Sequence, residues 1–224
     1  MIASISLMRR QDAVTQGFFR RHWLDVHGPL VCAFPGLRAY VQCHPIDSPA
    51  ANRRAREMRA DGFPILFFDN DSDRLAAHHS PEMAACNVDS RLFVGAVSRA
   101  VSDARVLVPA TGPGGFGALA FYADAGAMDA DADRMAGLDR LRGLMRYSVR
   151  EQAGAPNSTV PNLPLAVGAA LHARFDRLVD LECALESWPD TAAARFAVEE
   201  HWLVGASAAA MAPEFGPPAV HCVR

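Results

Sequence analysis

Lysine is missing from this sequence, in which all 22 basic residues are arginine. Schiff-base catalysis, a pyridoxal-phosphate anchor and a Walker A phosphate loop each require a lysine amine. The absence therefore excludes these three kinds of site.

Cysteine patterns that hold metals or disulfides are missing too. No CxxC pair occurs among the five cysteines, which are Cys32, Cys43, Cys86, Cys183 and Cys222, so neither a disulfide framework nor a zinc site is predicted. A GxGxxG pattern begins at Gly112, but a strand-like run follows it where a dinucleotide site needs a helix. We therefore expect no metal and no cofactor.

Long apolar runs are also missing. None approaches the ~18 residues that span a bilayer, and the first residues lack the basic start and apolar core of a signal peptide. The net charge is -3, whereas nucleic-acid binders commonly carry a basic stripe. We expect a cytoplasmic protein that contacts neither membranes nor nucleic acid.

Glycine and proline concentrate near the middle of the chain, between two strand-like runs. This composition is typical of a linker, which we place at residues 110–115, between domains at residues 1–109 and 116–224. The two domains share weak matches in the same order, among them a G-L-x-x-Y pattern that starts at Gly36 and again at Gly143. The matches indicate a tandem repeat of one domain.

Each half shows the same predicted order of strand, helix, two strands, helix and strand, which is the ferredoxin-like βαββαβ unit. In the second half, the last two elements are an alanine-rich helix over residues 192–209 and a strand over residues 219–223. An antiparallel sheet with helices on one face must cover its other face. We therefore predict an α+β fold in which two units pack sheet to sheet as an intramolecular α/β barrel.

A helix predicted over residues 12–32 carries two histidines. On an α-helical wheel, Trp23 lies on the apolar stripe that faces the sheet, whereas His22 and His27 lie on opposite borders of it, about 140° apart. Metal ligands on one helix are usually three or four residues apart, so a shared metal site is disfavoured. Pro29 predicts a kink beside His27.

The second strand places Arg38, Tyr40, Gln42 and His44 on one face, because side chains alternate along a strand. Such a row is either a solvent face or the lining of a polar pocket. An imidazole and a phenol that meet in a pocket can transfer protons near neutral pH. Packing and capping roles remain open for both His27 and Tyr40.

The stretch from Phe18 to Tyr40 resembles the EthD family of the dimeric α/β-barrel superfamily, a family named for an ether-degradation gene cluster. The residues that carry the resemblance are Phe19, Arg20, His22, Trp23, His27, Gly28, Pro29, Leu30, Pro35, Gly36, Leu37 and Tyr40. The second half resembles the family only in its pattern of elements and in G-L-x-x-Y.

The resemblance implies a ferredoxin-like fold and a pocket between sheet and helices. The expected aromatic lining, Trp23 with Phe67 or Phe68, favours a compact, largely apolar organic ligand from catabolism. Related barrels include lactone isomerases, polyketide cyclases, cofactor-free oxygenases and haem-degrading enzymes. In the methylmuconolactone isomerase branch, a histidine and a tyrosine act at positions that match His27 and Tyr40. That branch also uses a cysteine on strand three, and residues 63–68 contain none.

The leading expectation is a cofactor-independent enzyme of the isomerase, cyclase or oxygenase type. His27 and Tyr40 would be catalytic, and Trp23, His22, Arg38 and Phe67 would contact the substrate. The alternatives are a non-catalytic ligand carrier or accessory protein to a monooxygenase, and haem binding through His27 or His201. A homodimer of the two-domain chain is also open.

Overall fold

Two successive units make up the chain in a computed structural model. The structure describes residues 1–48, 51, 53–111, 115–152, 160–163, 166–189 and 191–204. The first unit contains four strands and five short α-helices, with a π-helical turn between the first two helices. In chain order these elements are β1 (Ile2–Arg10), α1 (Gln16–His22), the π turn (Trp23–His27), α2 (Gly28–Cys32), β2 (Leu37–Pro45), α3 (Arg53–Met58), β3 (Phe63–Phe68), α4 (Asp71–His78), α5 (Pro81–Ser90) and β4 (Val94–Val108).

The second unit repeats the alternation with four strands and two helices in its described residues. They are β5 (Phe116–Tyr122), α6 (Ala125–Ala136), β6 (Gly143–Gln152), β7 (Ala169–Phe175), α7 (Leu178–Ser187) and β8 (Ala194–Val204). The predicted linker at residues 110–115 falls between β4 and β5, although residues 112–114 lie outside the described part of the chain.

These strands form one closed antiparallel barrel in the order β1-β3-β2-β8-β5-β7-β6-β4. Within each unit the order is ferredoxin-like, β4-β1-β3-β2 in the first and β8-β5-β7-β6 in the second. Strand β2 pairs with β8, and β4 pairs with β6, so each unit bonds its second strand to the last strand of the other. The predicted α+β barrel of two ferredoxin-like units is confirmed, and the two sheets join edge to edge as one barrel.

Apolar side chains fill the barrel interior, and the helices cover its outer face. Over the second unit, α6 and α7 pack on the sheet through one continuous apolar cluster. Over the first unit, the apolar contacts form two separate clusters, one around Tyr40 and Phe68 and the other around Phe19, Trp23 and Phe93. The candidate site lies between these two clusters.

The predicted helix over residues 192–209 is wrong, because Ala194–Val204 form strand β8. Phe196 and Val198 face the barrel interior, whereas Ala197 faces the outer helices. Alanine favours a helix, but pairing with two neighbouring strands and burial on both faces override that local preference. The strand predicted over residues 219–223 lies outside the described residues. Nowhere in the described chain is a helix both long and apolar enough to cross a membrane.

Candidate active site

A cavity of about 80 Å³ lies between the sheet and the helices of the first unit. Outward-facing side chains of β1 to β4 form its floor, and the π turn, α2, α4 and α5 form its roof. Its lining is mainly apolar, with polar groups that include His27, Tyr40, His78 and Arg99. A largely apolar cavity with a few convergent polar groups is the usual form of a small-molecule site.

The roof helix changes from α to π geometry at Trp23–His27. The N–H of Gly28 donates to the carbonyl oxygen of Trp23, five residues back, and Pro29 has no N–H with which to continue an α pattern. The same carbonyl accepts a second hydrogen bond, from Gln42 Nε2 at 2.9 Å. Glycine permits this approach, because a Cβ at position 28 would lie 2.9 Å from that amide nitrogen. The irregularity predicted at Gly-Pro therefore takes the form of one π turn.

His22 and His27 flank the π turn and bind the same carboxylate. His22 Nε2 donates to Asp89 Oδ1 at 3.0 Å, and His27 Nδ1 donates to Asp89 Oδ2 at 2.8 Å. In a π turn the backbone hydrogen bond joins residues five apart, so side chains with this spacing lie on one face. The expectation that the two histidines point about 140° apart is therefore wrong, because it assumed α-helical geometry.

Asp89 lies in the last turn of α5, and its side chain is 12% exposed. Burial raises the pKa of its carboxyl group, but hydrogen bonds from His27 and His22 outweigh burial and hold the pKa below its ordinary value. Asp89 is therefore a carboxylate at neutral pH. Phe93 packs against both imidazoles, with ring centroids 4.9 Å from His22 and 5.2 Å from His27, so both rings are held on two sides.

The bond to Asp89 fixes the tautomer of His27. A carboxylate can only accept, so Nδ1 of His27 carries a proton, and in the neutral ring Nε2 then has a free lone pair. His27 is 7% exposed and lines the cavity. Nε2 is thus the ring nitrogen that can accept a proton from a bound molecule, and Asp89 stabilises the imidazolium that results.

Tyr40 faces the same cavity from β2 and is fully buried. Its hydroxyl oxygen accepts hydrogen bonds from Trp23 Nε1 at 3.2 Å and from Gln42 Nε2 at 3.0 Å. Burial raises the pKa of Tyr40 far above its ordinary value, and these two hydrogen bonds offset only part of that rise. The phenol stays neutral, and with both lone pairs engaged it can act as a donor through its own O–H.

A chain of polar contacts extends the Tyr40 network along β2. His44 Nε2 donates to Gln42 Oε1 at 3.0 Å, and its ring stacks on Trp23 with centroids 4.5 Å apart. Burial, His201 and Arg20 lower the pKa of His44 to about 3. His44 is therefore neutral at pH 7 and orients Gln42.

A β-bulge gives Tyr40 its position. The register between β2 and β3 shifts between Leu37 and Ala39, and the extra residue changes which face the following side chains take. Leu37 and Tyr40 pack on the helices, whereas Ala39 and Val41 face the barrel interior. The alternation predicted for Tyr40, Gln42 and His44 holds from that point onward.

The β4 side of the cavity, which lies across the sheet from Tyr40 on β2, carries the cationic side chain of Arg99. Arg99 of β4 is half-buried, and its Nη1 donates to His78 Nδ1 at 3.2 Å. Burial lowers the pKa of His78 to about 3, and the charges of Arg99 and Arg74 add to this effect. Burial, with a smaller contribution from Arg74, also lowers the pKa of Arg99 to about 10. At neutral pH the guanidinium is charged and the imidazole is not.

Comparison with known proteins matches residues 11–96 to the EthD domain. Residues 11–96 of this chain form an EthD domain. The match contains β2, β3 and all of the helices that roof the cavity. A search of the curated proteins found no match.

Several solved structures share the fold of this chain over most of its length. A candidate monooxygenase from Fusobacterium nucleatum covers 90% of this chain and 92% of its own, with a TM-score of 0.57 and 7% identity. An anthrone oxidase-like protein covers the same shares with a TM-score of 0.56 and 9% identity. A candidate monooxygenase from Lactobacillus acidophilus covers 90% and 93%, with a TM-score of 0.53 and 10% identity. At these identities the similarity shows the shared barrel fold.

The structure brings three of the predicted site residues together and separates the others. His27, Tyr40 and Trp23 line the cavity of the EthD domain. His22 lies behind it and binds Asp89. The remaining two residues lie elsewhere: Arg38 forms an ion pair with Asp69 at 3.2 Å, and Phe67 is buried in the barrel interior.

The alternation of side chains along β3 determines which of its residues line the cavity, and Phe67 is an example. On β3, Phe63, Ile65 and Phe67 face the barrel interior, whereas Pro64 and Leu66 face the cavity. The aromatic residue predicted as a substrate contact is therefore on the wrong face of its strand.

Asp89 and Arg99 are two polar residues of this region that the sequence did not reveal. Asp89 lies 62 residues after His27 and contacts it through packing of α5 against the π turn. Its one signal is position, since it follows Cys86 by three residues and so shares the inward face of α5. The sequence does not mark Arg99 as a site residue, because Arg99 alternates with small and apolar residues along the strand β4, as a surface arginine of an ordinary sheet would.

The described residues and the size of the cavity show whether this site could hold a metal ion or a haem. Among the described residues, no group of three or more histidine, cysteine, aspartate or glutamate side chains is arranged to hold a metal ion. Cavities that hold drug-sized ligands are commonly about 300–1,000 Å³, so a cavity of about 80 Å³ does not fit a haem. His201 packs edge-on against His44 at 4.7 Å, outside the cavity lining.

Proposed function

We propose that this protein binds a compact organic molecule in the cavity and transfers a proton on it through His27. The observation that carries the proposal is the 2.8 Å hydrogen bond between His27 Nδ1 and Asp89 at the cavity wall. A base oriented by a buried carboxylate is the arrangement that enzymes use for general acid–base catalysis. The small volume favours a ligand well below drug size.

The proposed step removes a proton from a carbon next to a carbonyl group. His27 Nε2 takes the proton, and the electron pair of the broken C–H bond moves onto the carbonyl oxygen to form an enolate. Tyr40, whose hydroxyl accepts from Trp23 and Gln42, donates its O–H to that oxygen. In a substrate whose enolate is conjugated to a C=C bond, return of the proton from His27 to the far carbon of that bond gives an isomer with the double bond shifted, so atoms and electrons balance without an oxidant.

Isomerases, cyclases and cofactor-independent oxygenases can all begin with this proton abstraction. The proposal therefore concerns the first step, and the fate of the enolate depends on the ligand. The names of the structural neighbours, which include an anthrone oxidase-like protein, are compatible with an enolate that goes on to react with oxygen.

A non-catalytic carrier was the main alternative, because the sequence shows no acid beside His27. Asp89 supplies that acid, bonded at 2.8 Å. A carrier has no use for a base with a fixed tautomer, and the structure therefore supports the enzyme over the carrier.

Exchange of hydrogen for deuterium tests the proposal without a known product. Compact lactones and cyclic ketones, chosen for slow background exchange, would be incubated with the protein in D₂O and followed by NMR. We expect at least one to exchange faster with the protein, and His27→Asn to lower that rate about 10²–10⁴-fold. His79→Asn, at an exposed histidine, is the control and should leave the rate unchanged.

Two results would contradict the proposal. One is that no compound in the panel exchanges faster than in buffer. The other is that His27→Asn, folded by circular dichroism, retains the full rate. Binding of a compound whose hydrogens the protein does not exchange would instead support the non-catalytic carrier.

A further inference from the structure

The charge of Arg99 has no counter-ion in the part of the chain that the structure describes. Among the described residues, no carboxylate lies within 4.0 Å of its guanidinium, and its one hydrogen-bond partner is His78. The neighbouring Arg74 has its own carboxylates, Asp71 at 3.0 Å and Glu151 at 3.7 Å. Because charged groups at the edge of a protein core are normally paired, an unpaired guanidinium on a cavity wall requires an explanation.

A hydroxyl group lies next to this guanidinium. Ser6 of β1 pairs in register with Arg99 of β4, so their side chains leave the sheet on the same face about 5 Å apart at Cβ. Ser6 is 5% exposed, lines the cavity and makes no hydrogen bond through its hydroxyl to another described residue. Arginine and serine together present several hydrogen-bond donors to one spot on the cavity wall.

The rest of the cavity determines the body of the ligand. Met8, Leu66, Met83 and Val97 contribute apolar surface around the polar spot, and His78 beside Arg99 is neutral. A phosphate group, with a charge near -2, would meet a single cation here, whereas a carboxylate matches one guanidinium in both charge and shape.

We propose that Arg99 and Ser6 form an anion subsite that binds the carboxylate of a compact, otherwise apolar substrate in the cavity. The inference rests on the proposed function only in placing this ligand within reach of His27. The subsite would hold the carboxylate against β1 and β4, while the π turn places His27 at the other wall. The substrate class is thus a small organic acid with an acidic C–H.

Matched acids and amides test the subsite directly. Isobutyrate, crotonate and benzoate would each be compared with their own amides by ligand-observed NMR titration of the full chain. We expect the wild-type protein to bind at least one acid about 10–100-fold more tightly than its amide, as for a charged hydrogen bond. Arg99→Gln should abolish that preference while amide binding persists, and Arg99→Lys should keep part of it. Arg105→Gln, at an exposed position of the same strand, should change neither affinity.

The outcomes separate this inference from the proposed function. Equal affinity for acids and amides, or no binding of either series, would overturn the anion subsite, and so would an acid preference that survives Arg99→Gln. An acid preference that depends on Arg99, together with no faster exchange than in buffer for any lactone or ketone of the exchange panel, would keep the subsite and remove proton transfer. Exchange on neutral compounds, together with equal affinity for acids and amides, would keep proton transfer and remove the anion subsite. His27→Asn should leave the acid preference intact.

Discussion

The two units share one strand order but differ in how the space between sheet and helices is filled. In the second unit, α6 and α7 pack on the sheet through a continuous apolar cluster. In the first, the helices leave a cavity between two clusters, with His27, Tyr40 and Arg99 on its walls. The difference shows that the fold alone does not create a site, since the same topology also yields a solid layer.

The two units also differ in the position of one tyrosine that occurs in both. Tyr40 and Tyr147 occupy the same place in the G-L-x-x-Y pattern, yet Tyr40 faces the cavity and Tyr147 faces the barrel interior. Strand β2 has a bulge between Leu37 and Ala39, whereas β6 keeps its alternation from Leu144 to Tyr147. One extra residue in a strand is thus enough to move a phenol from the core to a site.

One polar network of the second unit lies inside the barrel. Glu200 accepts hydrogen bonds from His172 at 2.9 Å, Arg174 at 2.9 Å and Trp202 at 2.8 Å. Burial raises the pKa of Glu200, but these partners outweigh it, so the pKa lies below its ordinary value. We interpret this network as structural, because its members bond to each other, and Asp89 as functional, because the base that it orients lines a cavity.

Asp89→Asn and Glu200→Gln should separate the functional role of Asp89 from the structural role of Glu200. The largest effect is expected on the rate of proton transfer in Asp89→Asn. Asp89→Asn leaves one oxygen to accept from two imidazoles, so His27 loses its fixed tautomer. We expect the exchange rate to fall about 10²–10⁴-fold, with a loss of stability of about 1–3 kcal/mol. The measurements are the D₂O exchange rate and the urea unfolding curve. A full exchange rate in the folded variant would remove the role assigned to Asp89.

Glu200→Gln should show the opposite pattern. It removes the negative charge that compensates Arg174 inside the barrel, which costs about 3–5 kcal/mol of unfolding free energy when a buried pair is broken. The exchange rate per folded molecule should not change. Urea unfolding gives the free energy, and a loss of activity in protein shown to be folded would mean that the network takes part in the reaction.

Packing of Trp23 gives a smaller expected effect. A Cβ at position 62 would lie 2.3 Å from Trp23 Cζ3, so Gly62→Ala must displace the ring that donates to Tyr40. We expect a loss of about 1–3 kcal/mol by overpacking, together with weaker ligand binding. Gly137→Ala is the matched control in the second unit, since its Cβ would meet only a carbonyl oxygen at 3.6 Å. Equal stability of both variants would argue against the tight contact between Gly62 and Trp23.

The effect that is smallest at neutral pH is the titration of His44, which again belongs to the first unit. The pKa of His44 is about 3 in the fold and about 6.5 in an unfolded chain. Between these values the unfolded chain binds a proton that the folded chain does not, so His44 lowers stability as the pH falls, by at most about 1.4 kcal/mol per pH unit. His44→Gln should make the acid side of the stability profile shallower, and His79→Gln should not. Parallel profiles for His44→Gln and the wild type would show that His44 ionises normally.

Much of the fold was predictable from sequence, because alternation and helix periodicity are local signals. They predicted the order of strands and helices along both units, except that β8 was predicted as a helix because of its alanines. The row of Tyr40, Gln42 and His44 followed from alternation alone, and His27 followed from its position beside Gly28 and Pro29. These features depend on neighbours within a few residues.

The rest of the site depends on geometry that local patterns do not carry. The π turn places His22 and His27 on one face, and an α-helical wheel therefore gives the wrong angle. Asp89 and Arg99 reach the site from α5 and β4 through tertiary packing. The face taken by Phe67 depends on the register of β3, where a one-residue error exchanges core and cavity.

The tautomer of His27 tests the central claim most directly, and it requires no substrate. Nitrogen-15 NMR of histidine-labelled protein distinguishes a protonated ring nitrogen from one with a free lone pair, and His27→Asn assigns the signal. The account predicts that the neutral ring of His27 carries its proton on Nδ1, bonded to Asp89, with Nε2 unprotonated. A neutral His27 protonated on Nε2, or a spectrum unchanged by Asp89→Asn, would contradict it.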